Sequence, residues 1–236
     1  MSLSLSSTYE LTTSTDPVQP GSNRLSVADV VRVARYQQNV LEPDSASLEK
    51  IQASLAWVEH TVQQITDTQD NNTKPTAYYG INTGFGALAG RTALDSTYLT
   101  KALGHNLIAS HSVGVGSYFS EDIVRGTLLI RAQSLAQGYS GVRPLVISKL
   151  LAMLNERVYP AVPEQGSLGA SGDLAPLAHL LLTVCAVPTP DSTEQDLELD
   201  TTDGEAFIPL DPAAGIDSAE HLHLTDSPVD DTQQLW

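Results

Sequence analysis

Apolar residues recur at steps of three and four along much of the first 187 positions, the spacing that gathers them on one face of an α-helix. The clearest stripe is Leu48, Ile51, Leu55, Val58, Val62 and Ile65, which predicts a long helix beginning at Asp44 or Ser45. Upstream, Val27, Val30, Val31 and Ala34 form a shorter stripe, with Ser26 and Asp29 spaced as a capping pair at its head. A third helix is expected over residues 95–111. A fourth covers 120–136, with Ile123, Val124, Leu128 and Leu135 on its apolar face. Pro144 suits the first position of a fifth, which reaches Asn155. A sixth follows Asp173, has Pro176 in its first turn and ends near Ala186. Strand-like pieces are few, residues 78–81 being the best candidate. The fold class is therefore mainly α.

The two ends differ from this body in texture. Residues 1–24 are polar, rich in Ser, Thr, Pro and Gly, and expected to be flexible. Pro188-Thr189-Pro190 breaks the last helical pattern, and residues 188–236 then hold 13 acidic side chains and no Lys or Arg. Apolar groups there, such as Phe207-Ile208-Pro209-Leu210, are short and isolated, so a largely disordered tail is expected. The ordered body is residues 25–187.

Charge narrows the partners. Against 28 Asp and Glu the 236 residues carry 12 Lys and Arg, a net −16, which argues against nucleic acid or an anionic membrane surface. No apolar run approaches the roughly 18 residues that span a bilayer. The single Cys, Cys185, excludes an internal disulfide and fits a reducing compartment. The first eight residues lack the basic and long apolar regions of a secretory signal, so a cytoplasmic setting is expected, in which the sequon Asn71-Asn72-Thr73 goes unused. His221 and His223 have no third plausible ligand nearby, and no metal site is expected.

Two loops are unusually rich in glycine. The first, Tyr78-Tyr79-Gly80-Ile81-Asn82-Thr83-Gly84-Phe85-Gly86, has three glycines in seven residues and easy access to positive φ. It is open to three readings: a tight turn, an amide cradle for phosphate, or a lid over a substrate. No Lys follows at P-loop spacing, which weakens the second. On a lid, Tyr79 becomes a candidate acid or base, because neighbours can tune a phenol.

The second loop runs through Gly166-Ser167-Leu168-Gly169-Ala170-Ser171-Gly172-Asp173 into an apolar helix. Ser171 or Asp173 can simply cap that helix. A nucleophilic serine is a second reading, but the G-x-S-x-G elbow is missing. The third is chemistry within the backbone. The Gly172 nitrogen, beside no Cβ, attacks the Ala170 carbonyl and water leaves. Dehydration of Ser171 then yields an exocyclic methylidene, an electrophile made without external cofactor, provided the fold compresses the loop.

With these loops on view, the chain resembles the aromatic amino acid ammonia-lyases, and their histidine-specific branch in particular. The matching segments are Tyr79-Gly80-Ile81-Asn82-Thr83-Gly84-Phe85-Gly86, Ser110-His111-Ser112-Val113-Gly114-Val115-Gly116, residues 133–143 ending in Ser140-Gly141-Val142-Arg143, and residues 166–180. The resemblance covers residues 25–187 and implies a helical N-terminal lyase domain with glycine-rich active-site loops. It implies that Ala170-Ser171-Gly172 cyclises to methylidene-imidazolone, that Asp173 assists, and that Tyr79 is the base on a lid. It places Ser110 and His111, with Gly86, at the substrate pocket. A Ser-His pair there implies L-histidine as substrate and urocanate as product, since a hydrogen-bonding site rejects analogues lacking the matching groups. Arg143 is read as a structural ion-pair residue rather than a substrate contact.

Members of that family are about twice as long and act as homotetramers. Their C-terminal half, which carries a substrate-carboxylate arginine and further catalytic groups, has no counterpart after Ala186. The resemblance therefore implies a truncated form that needs a complementary C-terminal chain. The alternatives are a non-catalytic homologue acting as a binding or assembly protein, and a phenylalanine or tyrosine ammonia-lyase or aminomutase.

Overall fold

The computed structural model of the chain describes residues 16–67, 76–86, 89, 97–168, 173–184 and 234–235, which are mainly α-helical. The first helix, α1, is Val27–Tyr36. Its capping box is complete: Ser26 Oγ accepts from the Asp29 amide at 3.1 Å, and Asp29 Oδ2 accepts from the Ser26 amide at 2.7 Å. Helix α2, Ser45–Asp67, starts where the stripe predicts, and the Asp44 carboxylate takes the Ser47 amide at 2.7 Å. From its stripe, Ile51 and Ile65 are buried. Helix α3 is Thr97–His111, strand β1 is Val115–Tyr118, and helix α4 is Glu121–Ala136. Helix α5, Pro144–Asn155, opens on the proline as expected, because a first helical residue has no use for its amide. Strands β2 (Tyr159–Pro160) and β3 (Pro163–Gln165) follow, then helix α6 (Leu174–Leu181) and the short β4 (Gln234–Leu235).

Helix α4 is the centre of the core. It packs on α1 and α5, and Val124, Leu128, Leu129, Ala132 and Leu135 are buried along it. Ile123, placed on the same face by the apolar pattern, is instead 47% exposed, while its neighbour Arg125 is fully buried. The long guanidinium stem reaches the ends of two other helices: Nε donates to Val33 O at 2.9 Å and Nη1 to Leu154 O at 3.3 Å and to the Tyr159 hydroxyl. Backbone carbonyls near helix C-termini lack intrahelical donors, and a buried arginine supplies them.

Residues 16–24, within the stretch expected to be flexible, lie against the body. Val18 is buried and bridges Val40, and the Gln133 carboxamide closes a reciprocal pair with Gly21, accepting from its amide at 2.9 Å and donating to its carbonyl at 3.0 Å. One apolar side chain and satisfied backbone groups are enough to hold a segment whose composition alone reads as loose.

The strand expected over residues 78–81 is a turn. The amides of Ile81 and Asn82 both donate to Tyr78 O, at 3.1 and 3.2 Å, and no extended ladder forms there. The pairing that positions the site is elsewhere: β1 runs antiparallel to β3, with Val115 opposite Gln165 and Tyr118 opposite Pro163. Residues 188–233, with His221, His223 and Phe207, lie outside the described residues, as do Asn71, Asn72 and Thr73.

Candidate active site

The Tyr79 loop is shaped by its own polar residues. Asn82, buried, accepts from the Tyr78 amide at 2.8 Å and donates to Thr76 O at 3.0 Å, so one side chain ties both limbs of the turn. Thr83, also buried, accepts from the Gly80 amide at 3.4 Å. Gly80 and Gly86 take positive φ, +79° and +55°, which L side chains rarely adopt. With the loop anchored from inside, the Tyr79 ring is left 67% exposed, resting edge-on against Phe85 at a centroid distance of 5.8 Å.

Ser110 and His111 form the last two residues of α3. His111 Nδ1 lies 2.8 Å from Leu107 O, and a carbonyl can only accept, so Nδ1 carries a proton. Ser110 Oγ donates to the same carbonyl at 3.1 Å. The Leu107 carbonyl, four residues before the end of α3, thus takes one polar edge of this pair, and the His111 Nε2 edge is left out of that bond.

Residues 169–172, and with them Ala170, Ser171 and Gly172, lie outside the described residues. Both flanks are described. Asp173 occupies the N-cap position of α6, yet its side chain makes no capping bond, contrary to the simple capping reading. It accepts instead from Ser167 Oγ, joining the two sides of the loop. Gly166 is pressed between the Gly114 backbone and Ala175: a Cβ placed on it meets Gly114 Cα and Ala175 Cβ, each at 3.1 Å.

Helix α6 is fastened to the segment after Ser110-His111. The Gly114 amide donates to His179 Nε2 at 2.9 Å, and α3 packs on α6. His179 is 8% exposed, and burial lowers its pKa, so the ring is neutral with its proton on Nδ1. His179 was not singled out from the sequence. Its signal was there, as one imidazole inside the apolar run Leu174-Ala175-Pro176-Leu177-Ala178-His179-Leu180-Leu181. The fold thus brings Ser110-His111 and the flanks of the second loop into one neighbourhood, whereas the described contacts of Tyr79 stay within its own loop. Arg143 sits exposed at the N-cap position of α5.

A cavity of about 460 Å³ opens between α4 and α6, with Ser167 and Asp173 on its rim and mainly apolar walls that include Ile130 and Leu177. Tyr79, Gly86, Ser110 and His111 are not among its lining residues. Among the described residues no group of three or more His, Cys, Asp or Glu is placed to hold a metal ion, and no helix is long and apolar enough to cross a membrane.

The chain belongs to the aromatic amino acid lyase family, whose model matches residues 25–196. It is 46% identical over 160 residues to histidine ammonia-lyase of Bacillus subtilis (strain 168) and 44% identical over 160 residues to that of Geobacillus thermodenitrificans (strain NG80-2). Each match covers 68% of this chain and 29% of the relative, so the chain spans under a third of the length of these curated relatives. Among solved structures, tyrosine aminomutase from Streptomyces globisporus is similar with a TM-score of 0.60 and 34% identity, covering 72% of this chain and 29% of that one. Histidine ammonia-lyase from Trypanosoma cruzi follows at 0.59 and 28% identity, covering 71% and 30%.

Proposed function

We propose that residues 25–187 form the electrophile-bearing domain of a lyase that eliminates ammonia from L-histidine to give urocanate, acting in the cytoplasm on a free amino acid. The observation that carries this reading is the junction of the second loop with the Ser110-His111 segment, through Gly114, Gly166 and His179. The loop flanks fit a methylidene-imidazolone: Gly166 against Ala175, and Ser167 bonded to Asp173, draw the ends of the loop together. Flanks held together in this way favour attack of one backbone group on another between them.

Ala170, Ser171 and Gly172 would supply the ring atoms, with Asp173 assisting through its bond to Ser167. Once formed, the group would supply an electron-poor methylidene carbon, the electron sink that an amine leaving group needs. The rest falls to side chains. Tyr79 removes the substrate β-proton through its phenolic oxygen, on a loop whose buried Asn82 fixes the turn and whose ring is free to meet substrate. His111, with Nδ1–H committed to Leu107 O, offers Nε2 as acceptor for an imidazole N–H. Ser110 and Gly86 border the same pocket. A phenyl substrate would leave the His111 acceptor without a donor, and that cost favours histidine over phenylalanine or tyrosine.

The partners of this reading are further copies in a homotetramer and a C-terminal lyase portion, whose residues would complete the site. A second reading, a non-catalytic homologue that binds a full-length lyase, is favoured by Tyr79, whose described contacts stay within its own loop. Intact mass distinguishes the two. The lyase reading expects the purified chain to lack two molecules of water, and Ser171→Ala to retain both. Wild-type protein at its full unmodified mass would overturn it. Turnover of histidine, phenylalanine and tyrosine, compared after adding the C-terminal portion of a family lyase, then ranks the substrates.

A further inference from the structure

Helix α4 turns Thr127, Ile130, Arg131 and Ser134, spaced by threes and fours on one face, towards the cavity it shares with α6. Leu177 of α6 stands on the opposite wall. The cavity holds about 460 Å³, within the range of about 300–1,000 Å³ in which small molecules are bound. Among the described residues, Arg131 is the one cation on these walls, and it makes no hydrogen bond or ion pair with the rest of the chain. The side chain is partly buried, and burial lowers its pKa, as befits a guanidinium that has lost water without gaining an anion. The nearest carboxylate on the walls, Asp173 at the rim, is engaged by Ser167 Oγ instead.

We propose that the cavity between α4 and α6 is a binding site for a small monocarboxylate with an apolar body, its carboxylate held by the Arg131 guanidinium and its body laid between Ile130 and Leu177. The planar fork of a guanidinium matches a carboxylate through two parallel, charge-assisted hydrogen bonds. The fold has already taken part of the water from Arg131, so an arriving carboxylate restores a partner to a charge that lacks one. Ser134, one turn along the same face, adds a hydroxyl that can donate to the same head group. The Thr127 hydroxyl is spent, donating to Ile123 O at 2.9 Å. The mainly apolar walls reward an aryl or alkyl body and give a bare inorganic anion nothing to bury against. A neutral ligand of the same shape leaves Arg131 unpaired, and an amine is repelled by it. Tyr79, Gly86, Ser110 and His111 do not line this cavity, so the inference stands apart from the lyase reading.

The test titrates the full chain, by calorimetry at fixed salt, with three probes that share one body: 4-phenylbutyrate, 4-phenylbutan-1-ol and 4-phenylbutylamine. The expected result is one saturable site per chain for the acid, at least about ten-fold tighter than for the alcohol, with the amine weakest. Arg131→Gln should bring the acid down to the level of the alcohol and leave the alcohol unchanged, and Arg131→Lys should keep part of the preference. Leu177→Trp, which fills the cavity, should weaken acid and alcohol together at unchanged circular dichroism. Arg131 is not part of the core, so its variants are expected to fold, and circular dichroism checks that as well. Equal binding of acid and alcohol to the wild-type chain would overturn the proposal. So would acid binding that survives Arg131→Gln, or tightest binding of the amine, which would give the site to Asp173. Absence of saturable binding by any probe, or a concentration-dependent dimer in which the acid finds no site, would overturn it too.

Discussion

Arg125 lies over the Tyr159 ring, its guanidinium carbon 5.0 Å from the ring centroid, and donates to that residue's hydroxyl inside the core. Both side chains are buried. The pair links α4 to β2, and through Val33 O and Leu154 O to the ends of α1 and α5. Tyr159→Phe keeps the packing but leaves a buried donor without its partner, and should cost about 1–3 kcal/mol in urea unfolding. Arg125→Ala strands three acceptors and opens a cavity, and should cost more, about 3–5 kcal/mol. Burial pushes the Tyr159 phenol up to about 12, against the lowering effect of Arg125, so the hydroxyl remains protonated throughout the neutral range.

Gly141 has φ of +64°, and a Cβ on it would lie 2.4 Å from Val58 Cγ2. Gly141→Ala should destabilise by more than about 1 kcal/mol, through strain at positive φ and the forced retreat of α2. Denaturant melts of that variant and of Val58→Ala/Gly141→Ala separate the two causes: relief in the double variant isolates the steric part.

The pH dependence of stability follows from His179. Its folded pKa is lowered below the ordinary 6.5 by burial. The unfolded chain therefore binds more protons in the interval between the two values, and stability rises with pH there. The contribution is complete above pH 6.5 and is lost as pH falls through the folded value. Thermal melts from pH 8 down to about 5 should show this decline, and His179→Gln should flatten it. Asp29 adds a further loss below 3.8. Burial alone would raise its carboxyl, but the Ser26 hydrogen bonds and Arg32 together hold it lower.

On the proposed reading, Tyr79→Phe should leave the loss of two waters unchanged and abolish turnover measured with the C-terminal portion of a family lyase present. The side chain meets Phe85 and is otherwise exposed, so stability should move by no more than about 0.5 kcal/mol. Full turnover in this variant would remove Tyr79 from the mechanism.

On the proposed reading, replacing Ser110-His111 with Phe-Leu removes the acceptor for an imidazole N–H and should shift preference from histidine towards phenylalanine by about ten-fold or more, measured in the presence of the C-terminal portion of a family lyase. Competition between the two amino acids, followed by product absorbance, checks it. Unchanged preference would take the pair out of the specificity pocket.

Much of this architecture was legible along the chain. The starts of α1, α2 and α5 follow from Ser26, Asp44 and Pro144, and the apolar stripes from a three-and-four period, because caps and periodicity act within a few residues of themselves. The two glycine-rich loops announced themselves by composition. What stayed hidden involves partners distant in sequence. Nothing local to Arg125 announces that Tyr159 and the helix ends close around it, and Ile123 reads as core until α4 turns it outward. His179 reads as one more residue on an apolar helix until Gly114, 65 positions earlier, gives its Nε2 a donor. Local propensity fixes where an element starts and which face is apolar. Only packing settles which polar atoms are buried together, since that depends on backbones meeting at van der Waals distance.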